Sequence, residues 1–146
     1  MAAFTKLNGF TEHVAEGVHV LGTHQLMIAL TNTDPAAALN ASTAACVLAN
    51  VSEVSYTNLS GGTPRNVTTS TSAQTSGTYK LVCADLLLTA TGDVGPFQYV
   101  VLYNDTPTSP ADPVIGLYNY GSSITLPNGE TLNIDFDATN GVLTIA

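Results

Sequence analysis

The sequence predicts a mainly β protein: an antiparallel β-sandwich or barrel-like domain with one short N-terminal helix. Three observations carry this. Short apolar or alternating runs are separated throughout by clusters of Gly, Pro, Asn and Asp, the punctuation of consecutive strands. Thr is abundant, with 21 residues in 146, and its branched Cβ suits a pleated surface. Only one stretch has helical spacing. Residues 1–9 read as an N-terminal arm and residues 10–146 as a single β-rich domain, a length usual for one domain.

The helical stretch is Phe10, Val14, Val18 and Leu21, recurring at intervals of four, four and three. Thr11, Glu12 and Glu16 place polar and acidic groups early in it, as a helix N-terminus favours. The expected helix is 10–21, stopped by Gly22; Gly17 inside it weighs against the assignment. Gln25 to Thr31 is too short for a second helix and reads as a buried strand. Asp34-Pro35 then breaks the chain. Residues 35–64 are the least regular part. Asn66 to Gln74 is rich in Thr and Ser with little apolar alternation, which suits an edge strand or an exposed hairpin arm.

Strand signal strengthens after Tyr79. Tyr79 to Thr91 holds two apolar runs, and Gly92 to Pro96 turns the chain. Phe97 to Tyr103 is apolar on both faces, the pattern of a central strand. A Pro/Asp loop, 104–113, leads to a strand over Val114 to Tyr120. Ile124 to Leu126 and Thr131 to Phe136 flank Asn128-Gly129 and read as a hairpin. Asn140-Gly141 suggests a second hairpin turn before residues 142–145.

Composition limits function. Charged residues are 10% of the chain, against about 25% in typical domains. Neutral polar groups, including 10 Ser and 11 Asn, take their place. Lys6, Arg65 and Lys80 are the only cations and the net charge is −8. Nucleic acid is not an expected partner, because its binders cluster Lys and Arg against phosphates. Anionic membrane surfaces fail by the same argument, and no apolar run approaches the ~18 residues of a spanning helix. The N-terminal residues do not show a cationic and then apolar secretory signal, so synthesis in the cytoplasm is expected. Cys46 and Cys83 match no zinc spacing and lie in apolar stretches, as buried free thiols do.

No constellation for catalysis is visible, and no enzyme activity, cofactor or metal is expected. His13, His19 and His24 are six and five residues apart. On a helix, His13 and His19 would be separated by about 600° of rotation, on different faces. Asp135 and Asp137 share a strand face and could form half of a calcium site, but a solvated strand face ending in a turn explains them better. A nucleophile elbow and a phosphate-binding glycine loop are both missing. Tyr99 and Tyr103 share one strand face, as do Tyr118 and Tyr120. Cross-strand packing suits them better than a sugar platform, which normally includes Trp. Phe4, in the arm, either folds back on its own core or docks on a neighbouring subunit. Phe4 and Phe10 are the candidate partner contacts.

Several segments, in order, resemble a group of small tailed-bacteriophage structural proteins: residues 10–21 (FTEHVAEGVHVL), 26–32 (LMIALTN), 99–106 (YVVLYNDT), 115–122 (IGLYNYGS), 129–136 (GETLNIDF) and the closing Gly141-Val142-Leu143. The resemblance spans nearly the whole chain. It implies a virion component, most naturally a capsid decoration (cement) protein. Such a protein binds the major capsid protein and neighbouring copies of itself on the outer capsid surface and stabilises the head. The alternatives are a tail, neck or fibre-base protein, or a carbohydrate-binding or adhesin module. The resemblance carries no catalytic residue to transfer.

Overall fold

The computed structural model describes residues 2–146, and the chain is mainly β with antiparallel sheets and one short helix near its N-terminus. The strands are β1 (Phe4–Lys6), β2 (Leu26–Thr31), β3 (Asn66–Val67), β4 (Thr69–Thr75), β5 (Thr78–Cys83), β6 (Leu86–Thr89), β7 (Val94–Asn104), β8 (Val114–Leu126), β9 (Thr131–Ile134) and β10 (Leu143–Ile145). Helix α1 is Asn8–Ala15, and a single turn, α2, is Ala36–Leu39.

Five strands form the main sheet in the order β1-β8-β7-β2-β3; a second sheet runs β10-β5-β4, and β6 pairs with β9. The first two sheets share a corner. β3 pairs with β2, and β4, one residue further on, pairs with β5 across a bulge between Thr69 and Thr71. A strand that changes sheets at a bulge is a standard way to turn such a corner.

The inner core lies between the sheets. It takes Leu26, Ile28 and Leu30 from β2, Val100 and Leu102 from β7, and Leu81, Leu88, Ile134 and Phe136 from the opposing side. The other face of the main sheet is also buried. Ala29, Tyr99, Val101 and Tyr103 pack beneath Leu39, Cys46 and Val51. Residues 36–51 of the irregular stretch therefore cover the main sheet's outer face, which explains why Phe97 to Tyr103 is apolar on both sides, while Val54, Tyr56 and Leu59 pack against the inner core.

β8 holds a feature hidden in the sequence. Leu102 pairs with Gly116 and Tyr103 with Val114, leaving Ile115 as an extra residue. This bulge inverts the alternation: Ile115 and Tyr118 reach the inner core while Val114 and Leu117 reach the outer one.

Three expectations are corrected. The helix is 8–15 rather than 10–21. Gly17, at φ +76°, ends it: the Gly17 N–H donates to Val14 O and the Val18 N–H to His13 O, at 3.2 and 2.8 Å, the paired bonds of a Schellman stop. Leu21 reaches the core from the following loop. Second, the turn at Asn128-Gly129 exists, with the Glu130 N–H on Pro127 O at 3.0 Å, but its flanks do not pair with each other. Leu126 pairs with Val94, and β9 pairs with β6. Third, the strand after Asn140-Gly141 pairs with β5. The tight hairpin is β4–β5, turned by Ser76 and Gly77 at φ +51° and +85°.

Candidate functional site

The two candidate partner residues face inward. Of the two fates open to Phe4, the structure shows the fold-back. β1 pairs with β8 in the register Phe4 to Tyr118, with ring centroids 5.1 Å apart. Part of the expected arm is thus an edge strand, and Asn8 and Gly9 belong to α1. Phe10 is 1% exposed and lies in the inner core, so it presents no surface to a partner.

The four tyrosines do not form one platform. Tyr99 and Tyr103 lie in the outer core and Tyr118 in the inner one. Tyr120 is exposed at the surface. Asp135 and Asp137 lock a turn. Asp135 Oδ1 accepts the Asp137 N–H at 2.7 Å, and Asp137 accepts the N–H groups of Thr139 and Asn140 at 3.1 and 2.9 Å. Among the described residues, no three His, Cys, Asp or Glu side chains are grouped to hold a metal ion.

The three histidines do meet, because the helix ends early and the chain doubles back after Gly17. Asn104, at the end of β7 and fully buried, holds two of them. Its amide nitrogen lies 3.1 Å from His19 Nδ1 and 2.9 Å from His24 Nδ1. Its carbonyl oxygen accepts the Thr106 N–H at 3.2 Å. His13 sits edge-on to His19 at 5.8 Å, and Phe10 packs on the other side of His19 at 5.1 Å. Burial pushes His19 down to about 4, helped by its two histidine neighbours. Burial also lowers His13, against the pull of Glu12 and Glu16. Sequence spacing missed this cluster because it assumed one continuous helix, and nothing in the sequence marks Asn104 as its centre.

A second polar group pins the irregular stretch to β2. The Tyr56 hydroxyl accepts the Leu30 N–H at 2.9 Å and donates to Glu53 Oε1 at 2.8 Å. The Arg65 guanidinium lies 4.0 Å from the centre of the Tyr56 ring and donates to Ile28 O at 2.9 Å. Burial raises the Tyr56 hydroxyl well above its ordinary value. These bonds hold the segment in place.

One uncommitted surface is β4. It is the outer strand of its sheet, all but its first residue is exposed, and its sequence TSTSAQT holds no charge. Natural edge strands are usually blunted by Lys, Pro, a bulge or a cover; beyond the bulge between Thr69 and Thr71, this one has none of these. No family model, curated protein or solved structure matches the chain.

Proposed function

We propose that this chain is a virion structural protein that decorates the outer surface of a tailed-phage capsid and stabilises it by binding the major capsid protein. The observation that carries the reading is the uncharged, exposed edge of β4, a surface built to pair with another chain. Its open row of backbone donors and acceptors offers strand addition, and Thr and Ser side chains tolerate contact without desolvating a charge. Many such weak contacts become strong when copies are arrayed on a lattice. The ordered resemblance to small phage structural proteins supports the same reading.

The experiment is reattachment. Purified protein added to heads that lack it co-sediments with them and raises their disruption temperature. Paired Thr71→Lys and Ala73→Lys changes on β4 weaken attachment while leaving the fold intact. Failure of the wild-type chain to co-sediment overturns the proposal. Copy number separates decoration from a tail, neck or fibre-base role: hundreds per particle for the former, a few dozen or fewer for the latter.

A further inference from the structure

We propose that His13, His19, His24 and Asn104 form a proton-operated latch, which holds residues 16–25 against the end of the sandwich at neutral pH and releases them in acid. The latch centres on one amide. An Asn side chain has two N–H donors and one acceptor oxygen. The Asn104 oxygen is taken by the Thr106 N–H, which orients the amide. Its two N–H groups then point at His19 Nδ1 and His24 Nδ1. Both bonds require unprotonated Nδ1 atoms, so both imidazoles are neutral and carry their proton on Nε2. The Val20 N–H also approaches His24 Nδ1, at 3.3 Å, and makes the same demand.

Protonating either ring sets an N–H against an N–H. The bond is lost, and at His19 the cation is left in a buried site against the Phe10 ring. His19 is 7% exposed, and its Nε2 has no hydrogen-bond partner among the described residues. His13 Nδ1 is likewise buried and unpartnered, so no carboxylate stands ready to receive an imidazolium ion there. The titratable groups around the cluster are Glu12 and Glu16 on and beside α1, Asp105 next to Asn104, and Tyr79 across a cleft from His19. Glu12 and Glu16 favour a charge on His13, but burial outweighs them. The Asp105 backbone N–H is bonded to Gln25 O at 2.9 Å, which ties the far end of the loop to the same strand end.

The loop is otherwise held by Leu21, which lies in the inner core and whose carbonyl accepts from the Thr69 hydroxyl at 3.5 Å, and at its far end by Gln25, whose N–H donates to Thr106 Oγ1 at 2.8 Å and whose side-chain amide donates to Val67 O at 3.1 Å. It closes one wall of an apolar cleft of about 390 Å³, lined by His19, Val20 and Leu21 on the loop side and by Ser72, Tyr79 and Ile145 opposite. Release of the loop exposes Leu21 and the Phe10 ring beneath His19. In the released loop His19 regains its ordinary value near 6.5. The opening constant therefore rises about tenfold per pH unit for each proton taken up below that value.

The test is residue-resolved NMR on the full chain, from about pH 7.5 to about pH 4.5. Imidazole nitrogen shifts are read together with amide exchange in residues 16–25 and, as an internal reference, in β7. The latch predicts unprotonated Nδ1 on His19 and His24 at neutral pH, and loop exchange that accelerates at least tenfold in acid, beyond its intrinsic pH dependence and ahead of β7. Asn104→Asp supplies a carboxylate that accepts from an imidazolium ion, so its loop stays protected in acid. Proton on Nδ1 in the wild type, or a loop no more labile in acid than β7, overturns the proposal without any variant. Acid opening of a folded Asn104→Asp protein equal to that of the wild type overturns it as well.

Discussion

Gly9 of α1 and Cys46 of the covering segment meet with no room between them: a Cβ built on Gly9 would stand 2.6 Å from the Cys46 Cβ and 3.3 Å from the Thr43 backbone. Gly9→Ala is expected to cost about 1–3 kcal/mol, the usual range for overpacking. Because the nearest obstruction is the Cys46 Cβ, Cys46→Ala, which removes only the Sγ at 3.1 Å, leaves the main clash in place. That change also removes the Cys46 Sγ contact with Val114 O at 3.4 Å. Urea midpoints of the two single variants and the double check this; a double variant more stable than Gly9→Ala contradicts the contact.

Phe4 distinguishes a core role from a partner role. Its ring lies against Tyr118 and over Gly116, where an added Cβ would collide with it. Phe4→Ala should therefore lower the stability of the isolated chain by about 2 kcal/mol, the order expected for a half-buried aromatic ring. A Phe4 that served only a neighbouring subunit would leave that stability unchanged.

Tyr56→Phe removes one oxygen and strands the Leu30 N–H on the edge of β2. The expected loss is about 1–3 kcal/mol, the cost of leaving a buried donor unmade. Amide exchange at Leu30 should accelerate selectively. The Arg65–Glu53 pair, at 3.6 Å and partly exposed, should contribute far less, so Glu53→Gln is expected to be nearly neutral.

Stability should fall as pH drops. In the folded chain His19 sits at about 4, against 6.5 for an ordinary histidine. The unfolded chain therefore takes up the proton first. The His19 contribution is fully present above about pH 6.5, declines through the interval down to about 4, and levels off below it. The drop amounts to roughly 3 kcal/mol, and His13 acts in the same direction. Unfolding free energies of the wild type minus those of His19→Gln, across that interval, isolate the effect from the carboxylates.

Both cysteines are free and buried. Burial pushes the Cys83 thiol up to about 11 and raises Cys46 too. Neither should react with a thiol reagent in the native protein at neutral pH, because the thiolate is the reacting species. Both should react after denaturation, and fast reaction of either one in the native state would contradict this packing.

Much of the strand content was legible, because local chemistry writes it. Phe97 to Tyr103 is apolar on both faces, and β7 is indeed central. Asn66 to Gln74 lacks alternation, and β4 is an exposed edge. The helix length was misread for an equally local reason. The stripe through Val18 and Leu21 outlasts the helix, whereas Gly17 with its positive φ stops it. The candidate site was largely illegible. His13, His19 and His24 converge only because the chain reverses after Gly17, and Asn104 reaches them from 80 or more positions away.

The sequence by itself determined that this is a β protein with buried thiols and a weakly charged, Thr-rich surface, since propensity, alternation and charge act residue by residue. It also determined where the chain turns: Asn128-Gly129 and Asn140-Gly141 are both real reversals. Only the tertiary structure decided which strands those turns bring together. A turn supplies a change of direction, while pairing goes to whichever neighbour lets the apolar face reach the core. β9 therefore joins β6, β10 joins β5, and the bulge at Ile115 lets β8 send Val114 and Leu117 to the outer core and Ile115 and Tyr118 to the inner one.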